Sequence, residues 1–262
     1  MEIYLTIVFG LIGAAIGSFL NVVVDRLPEN RSLSFPPSHC DACQKRLAPL
    51  DLIPVISYLA LRGRCRYCQA RIPLQVLLVE LGCGLWTAFL FWSKGETLAF
   101  AISAIYSYIF VVIALIDLKH QLILNKIVYP ACIAALIAAP FFIKTGVAHN
   151  SLVDYGIVNA IIGAAVGFIF LLIPAVVTRG GMGFGDVKMA ALIGLATGFG
   201  EVLVAILGGI ILGGLAAIIL LVTGIKKRKE AIPFGPFLSL GAIVTLVWGT
   251  HILNWWLGLF AA

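Results

Sequence analysis

Long apolar segments recur along the chain, and their length constrains the fold more than any other feature. Eight such segments are present, at residues 3–24, 74–93, 97–116, 122–143, 153–177, 187–200, 201–225 and 236–258. All but the sixth reach the roughly 17–25 residues that a helix needs to cross a bilayer. Hydrophobic residues form 61% of the chain and charged residues 11%, which leaves too little polar surface for a soluble domain. We therefore predict an all-α polytopic membrane protein with about eight transmembrane helices.

Basic residues lie mainly in alternate connections between these segments. If the N-terminus is outside, the connections that face inward are residues 25–73, 117–121, 178–188 and 226–235. They hold most of the 18 basic residues, namely Arg26, Arg31, Lys45, Arg46, Arg62, Arg64, Arg66, Arg71, Lys119, Arg179, Lys188, Lys226, Lys227, Arg228 and Lys229. The positive-inside rule then predicts a multi-pass protein with its N-terminus outside and these connections in the cytoplasm.

The residues that flank the first segment predict a retained membrane anchor. It begins with Glu2 instead of a basic region and is followed by Arg26, which is not the pattern of a cleaved signal peptide. The net charge of +6 follows from the predicted topology and from contact with anionic lipids. The expected partner of the basic surface is therefore the lipid bilayer, and we expect no nucleic acid.

The polar stretch at residues 25–73 carries four cysteines in two C-x2-C pairs, Cys40 with Cys43 and Cys65 with Cys68. Two pairs of thiolates that fold together make a tetrahedral structural zinc site. Two disulfides are an alternative, but a cytoplasmic loop lies in a reducing compartment. A redox motif is another, but it lacks its usual βαβ surroundings. We predict a structural Zn2+ that holds together a loop too small to fold on a hydrophobic core alone.

Two aspartates stand at the ends of apolar segments on the predicted cytoplasmic side. Asp117 follows the segment at residues 97–116, and Asp186 precedes the segment at residues 187–200. Carboxylates beside the membrane core are costly and indicate functional sites, and two that share one proton are the working groups of an aspartic protease. The alternative is that each is an unrelated charge at a helix end.

Helix dipoles favour the charged form of Asp186, at a helix N-terminus, over that of Asp117, at a C-terminus. One carboxylate would then act as base toward water and the other as acid toward the scissile carbonyl. The glycines before Asp186, including Gly183 and Gly185, would let an extended substrate approach closely. Glu80 is a further candidate functional carboxylate, since it lies inside the second apolar segment and requires a buried partner.

Several short motifs occur in a characteristic order along the chain. They are Gly17-Ser-Phe-Leu-Asn21, Arg26-Leu-Pro28, Pro36-Pro-Ser-His-Cys40, Asp51-Leu-Ile-Pro54, Arg62-Gly-Arg-Cys65, His120-Gln-Leu-Ile123, Gly183-Phe-Gly-Asp-Val-Lys188 and Pro233-Phe-Gly-Pro-Phe237. With Asp117 and both cysteine pairs, they resemble the type IV prepilin peptidases, bifunctional leader peptidase/N-methyltransferases of bacterial pilus and type II secretion systems. The resemblance covers nearly the whole chain.

The resemblance implies an inner-membrane enzyme with Asp117 and Asp186 as its catalytic pair. It implies Gly183, Gly185 and Lys188 as the substrate loop, and cleavage of prepilins or pseudopilins after the glycine that ends a basic leader. It further implies methylation of the new N-terminus with S-adenosylmethionine, linked to the zinc loop. The implied domains are a first transmembrane helix at 1–24, a cytoplasmic zinc-binding domain at 25–73 and a transmembrane aspartic peptidase domain at 74–262.

Two other functions compete with this interpretation. A transporter could use the aspartates as a proton or cation relay, although relay carboxylates usually lie near mid-membrane at broken helices. A non-catalytic membrane scaffold could use the zinc loop to dock a partner. The sequence makes no prediction of the oligomeric state.

Overall fold

A computed structural model describes residues 2–145, 156–177, 183–225, 230 and 232–260. The described residues form no β-strand, only two isolated bridges, so the predicted all-α class is confirmed. The helices are α1 (Glu2–Arg26), α2 (Ile56–Ala60), α3 (Leu74–Lys94), α4 (Leu98–His120), α5 (Asn125–Thr145), α6 (Gly156–Val177), α7 (Phe184–Thr197), α8 (Glu201–Val222) and α9 (Gly235–Phe260).

Each of the eight predicted apolar segments overlaps one of the helices α1 and α3 to α9. Six of them, namely α1, α3, α4, α6, α8 and α9, are long and apolar enough to cross a membrane. The apolar part of α5, Asn125–Phe141, is shorter, and α7 has only 14 residues. The chain is thus an all-helical membrane protein with six candidate spans among its described residues, and the count of eight stays a prediction.

The chain divides into two compact units, Met1–Glu96 and Thr97–Ala262. In the first unit, α1 packs along α3 through two glycines one helical turn apart. A Cβ atom on Gly13 would lie 2.7 Å from the carbonyl oxygen of Cys83, and one on Gly17 would lie 2.9 Å from that of Val79. These glycines therefore serve close helix packing, the role that their spacing predicts.

The second unit is built around α7, which packs against α5, α6, α8 and α9. Its side chains Met189, Leu192 and Ile193 are fully buried. The crossing with α6 is again made by glycines, because a Cβ atom on Gly163 would lie 2.6 Å from the carbonyl oxygen of Gly194. Although α7 is short, it lies inside the second unit. The helices that pack around it fix the position of its first turn.

The junction between α7 and α8, which the sequence does not determine, lies at residues 198–200. Gly198 and Gly200 adopt φ values of 83° and 85°, in the left-handed region that glycine enters without strain. The chain therefore leaves α7 after Thr197 and starts α8 at Glu201. This tight connection keeps α7 and α8 as separate helices.

Candidate active site and metal centre

Asp117 lies in the last turn of α4, which continues to His120, so the helix extends slightly beyond the predicted apolar segment. Its carbonyl oxygen accepts a hydrogen bond of 2.9 Å from the N–H of Gln121. Gln121 has a left-handed backbone, with φ 53° and ψ 41°, and so ends the helix. The side chain of Asp117 is buried, with 5% of its surface exposed.

The carboxylate of Asp117 is held by the start of α9. The N–H of Gly235, the first residue of α9, donates a hydrogen bond of 2.9 Å to Asp117 Oδ2. The two residues are 118 positions apart in sequence. Gly235 belongs to the sequence motif Pro233-Phe-Gly-Pro-Phe237, which by itself does not predict this contact.

Asp186 lies half-buried in the first turn of α7. Its own N–H donates to the carbonyl oxygen of Gly183 at 3.1 Å, and the N–H of Gly183 forms a hydrogen bond with the Asp186 carboxylate. The carboxylates of Asp186 and Asp117 are close enough for their charges to interact. The structure therefore brings the two predicted aspartates into one electrostatic site, at the end of α4 and the start of α7.

The glycine loop before Asp186 is described only from Gly183 onward, so Gly180 and Gly181 lie outside the described residues. A Cβ atom on Gly185 would lie 2.9 Å from the Cβ of Ile123, in the connection that follows Asp117. The first turn of α7 therefore packs directly on the connection between α4 and α5. A Cβ atom on Gly183 would meet its nearest neighbour, Asp186 Oδ2, at 3.5 Å, which is ordinary van der Waals contact.

Lys188, predicted as part of the substrate loop, is engaged by α5. Its Nζ donates to Oδ1 of Asn125 at 3.0 Å and lies 5.6 Å from the centre of the Tyr129 ring. These contacts join the N-terminal parts of α5 and α7. A role for Lys188 toward substrate stays a prediction.

The four predicted metal ligands come together in the first unit. The sulfur atoms of Cys40, Cys43, Cys65 and Cys68 all lie within 4.8 Å of one another. The Sγ atoms of Cys40 and Cys68 are 3.8 Å apart, and all four cysteines are free thiols, so the disulfide alternative is not what the structure contains. Four sulfurs at these separations can bind one metal ion.

The two cysteine pairs sit on turns of the same construction. The N–H of Cys40 donates to the carbonyl oxygen of Lys45 at 3.0 Å, and the N–H of Cys65 donates to that of Ala70 at 2.8 Å. Each turn passes through a glutamine with positive φ, 57° at Gln44 and 59° at Gln69. This repeated turn is what makes both sulfurs of each pair point toward one centre.

Neighbouring groups change the acidity of the second pair of thiols. Backbone N–H groups of Cys68 and Tyr67 lower the pKa of Cys65 to about 7. The pKa of Cys68 is lowered by a backbone hydrogen bond from Ala70, but burial and the neighbouring thiols outweigh it and raise that pKa to about 11. Four thiolates this close together require a cation to compensate their charge, so metal binding would be coupled to proton release.

An ion pair ties the second cysteine turn to the rest of the loop. Nη2 of Arg66 lies 2.7 Å from Oδ1 of Asp51, and this contact raises the pKa of Arg66. The second carboxylate oxygen of Asp51 accepts a hydrogen bond of 3.3 Å from the N–H of Ala48. Asp51, an ordinary loop charge by its sequence, therefore orders the segment between the two cysteine pairs.

Glu80 is buried, and its carboxylate has a half-buried backbone partner that the sequence does not identify. Its side chain is 5% exposed, and Oε2 accepts a hydrogen bond of 2.7 Å from the N–H of Val55. Val55 has φ 62° and ψ −52°, and the N–H of Ile56 closes a three-residue turn on the carbonyl oxygen of Pro54 at 2.6 Å. This turn type is strained for a β-branched residue, and Glu80 holds it in place.

Comparison with known proteins gives consistent results over nearly the whole chain. Residues 11–94 match the bacterial peptidase A24 N-terminal domain, and residues 104–218 match the type IV leader peptidase family. A prepilin leader peptidase/N-methyltransferase of Pseudomonas putida is 31% identical, over 92% of this chain and 90% of that protein.

Two further relatives carry the same description. The protein of Pseudomonas aeruginosa is 31% identical over 94% of this chain and 91% of its own length. The protein of Bacillus subtilis is 29% identical over 95% of this chain and 96% of its own length. No solved structure matches the chain.

Proposed function

The chain belongs to the type IV leader peptidase family, and we propose that it is an aspartic endopeptidase that removes the leader of type IV prepilins and pseudopilins. The single observation that carries this proposal is the shared site of Asp117 and Asp186, two acidic side chains from different helices whose charges interact. Cleavage would follow the glycine that ends the leader, as the family resemblance implies.

The chemistry follows from two carboxylates that share one proton. Like charges in one site disfavour double ionisation, so one member keeps its proton while the other is charged. The charged member would take a proton from water, and the protonated member would donate to the carbonyl oxygen of the scissile peptide. Water is the nucleophile, so no covalent intermediate forms between enzyme and substrate.

The substrate would enter beside the glycine loop. The exposed Gly183 has no side chain to block an extended peptide from the carboxylate of Asp186. Gly185 packs closely against Ile123, so its role is in packing and not in substrate contact. We therefore assign substrate contact to Gly183 and loop packing to Gly185.

We place the protein in the bacterial inner membrane with its N-terminus outside and the aspartate pair at the cytoplasmic face. The support for this orientation is the cluster of basic side chains in the segment 25–73, because the positive-inside rule places such segments in the cytoplasm. Arg179 and Lys226, Lys227, Arg228 and Lys229, which contribute to the same rule, lie outside the described residues. We include α5 and α7 with the six candidate spans, which makes eight membrane-embedded helices.

The loop at residues 25–73 would act as a zinc-binding domain. Cys40, Cys43, Cys65 and Cys68 would hold Zn2+, because four close sulfurs are its preferred structural ligands. The ion would stabilise the loop fold and would take no part in peptide cleavage. Methylation of the new N-terminus, with S-adenosylmethionine as methyl donor, rests on the names of the relatives, and we assign no residue of this chain to it.

The test is a synthetic prepilin peptide incubated with purified protein in detergent, with products identified by mass spectrometry. Asp117→Asn and Asp186→Asn remove the titratable group with little change in shape, and each should lower kcat by about 10⁴-fold or more. Glu96→Gln, which changes an exposed carboxylate, should retain wild-type cleavage.

The same assay decides between the competing functions. A proton relay or a docking scaffold needs no peptide hydrolysis, so cleavage that persists in either Asp→Asn variant excludes the protease. Methyl transfer is read in parallel from the mass of the mature fragment, and its presence or absence is independent of the aspartate result.

A further inference from the structure

We propose that Gly235 is a positioning residue for the catalytic Asp117, holding its carboxylate with the first N–H of α9. This inference rests on the proposed peptidase function of the aspartate pair. The contact joins Oδ2 of Asp117 to the N–H of Gly235 at 2.9 Å, and both residues are buried.

The N–H of Gly235 is available because of its place at the helix start. The first N–H groups of a helix have no partner within the helix. Pro236 follows directly and has no N–H, and Phe237 donates to the carbonyl oxygen of Phe234 at 3.1 Å. The order Gly-Pro at the start of α9 therefore leaves one backbone donor for Asp117.

The close approach of Asp117 requires glycine at position 235. A Cβ atom there would lie 2.7 Å from Oδ2, 3.1 Å from Cγ and 3.2 Å from Cβ of Asp117. All three of its nearest neighbours would thus be atoms of the carboxylate-bearing side chain. Any larger residue at this position must displace Asp117, and with it one half of the pair.

This contact also changes the electrostatic assignment made from the sequence. Asp117 stands at the C-terminal end of α4, which by itself disfavours a negative charge. The N-terminus of α9 supplies a compensating donor, just as Gly183 at the start of α7 does for Asp186. Each carboxylate therefore accepts from an N–H at a helix N-terminus, which reduces the predicted dipole asymmetry between them.

The first test compares Gly235→Ala with Gly258→Ala in the prepilin peptide assay. Gly258 lies in the same helix with no atom within 4 Å of an added Cβ, so it controls for the change in helix propensity. Misplacement of a reacting group by about 1 Å costs about 100-fold in rate. We expect Gly235→Ala to lower kcat by about 100-fold with KM within about twofold of wild type, and Gly258→Ala to match wild type. Unchanged kcat, or a loss confined to KM, would overturn the proposal.

A second test covers the case in which Gly235→Ala does not fold. Thermal unfolding in detergent is measured for Gly235→Ala, Asp117→Ala and the double variant. Asp117→Ala removes the two atoms closest to the added Cβ, so the Tm lost in Gly235→Ala should be largely recovered in the double variant. If the Tm losses of the two single variants simply add in the double variant, the Cβ added at position 235 does not contact the Asp117 side chain, which would contradict the proposal.

The two tests also separate this inference from the proposed function. If the Asp→Asn variants cleave normally while the unfolding cycle shows coupling, the contact stands and the peptidase assignment fails. If the Asp→Asn variants are inactive and the cycle shows no coupling, the peptidase stands and the role of Gly235 is refuted.

Discussion

Glu80→Ala tests how the first unit holds its most strained turn. The substitution removes the acceptor for the N–H of Val55, at 2.7 Å from Oε2, and leaves that donor without its buried partner. A hydrogen bond to a charged group contributes about 1.5–3 kcal/mol. The lost burial of one methylene group, Cγ, adds about 0.8 kcal/mol. We therefore expect Glu80→Ala to lower the free energy of unfolding by about 2–4 kcal/mol.

The strained backbone of Val55 allows a second test of the hydrogen bond between Val55 and Glu80. With φ 62°, a β-branched residue carries a strain on the order of 1–3 kcal/mol, which glycine would relieve. Val55→Gly introduced into the Glu80→Ala protein should therefore recover part of the lost stability, even though it removes a side chain. Glu80→Gln keeps the shape and one acceptor oxygen, so its cost should be about 1 kcal/mol.

The assay is unfolding of the purified protein in detergent micelles, combined with trypsin cleavage at the arginines of the loop. Trypsin reports opening of the first unit and needs no global unfolding. Glu96→Ala, at an exposed position, is the matched control and should behave as wild type. If Glu80→Ala leaves the free energy of unfolding unchanged or raises it, the hydrogen bond to Val55 does not stabilise the first unit. The cost of desolvating the buried carboxylate would then outweigh its contact.

Two further predictions concern the metal centre and the glycine loop. Replacing Cys40, Cys43, Cys65 and Cys68 by serine should remove bound zinc from the purified protein, measured by elemental analysis, and should expose the loop to trypsin; unchanged zinc content would contradict the assignment. Gly185→Ala should lower Tm, because its Cβ would lie 2.9 Å from that of Ile123, while Gly183→Ala should not, since its Cβ has room at 3.5 Å. Equal Tm for these two variants would show that Ile123 does not press on the loop.

The all-helical class was predictable because it depends on local composition. An apolar run of sufficient length must satisfy its backbone hydrogen bonds within itself in lipid, and the helix does so without reference to distant residues. The glycines at the helix crossings were predictable for a similar reason, since small residues at helical spacing allow close packing. The lengths of α5 and α7 were less certain, because the packing of neighbouring helices ends an apolar helix as much as its own composition does.

The site could be predicted in part. The metal site could be predicted from the spacing and residue type of the cysteine pairs alone. In the structure, the Sγ atoms of Cys40, Cys43, Cys65 and Cys68 lie within 4.8 Å of one another. The aspartates could be singled out by their cost near the membrane, but no local rule brings the end of α4 near the start of α7. The position of α7 is set by the four helices that it packs against, α5, α6, α8 and α9.

The partners of the buried carboxylates were decided by tertiary structure alone. The carboxylate of Asp117 accepts a hydrogen bond from the N–H of Gly235, and that of Glu80 accepts one from the N–H of Val55. Every residue except proline has a backbone N–H, so residue type gives no sign of which one will be used. The position of a charged residue within or beside an apolar segment was enough to show that it needed a partner inside the protein. Only the packing of helices and turns that are distant in sequence determined which backbone donor reached each of them.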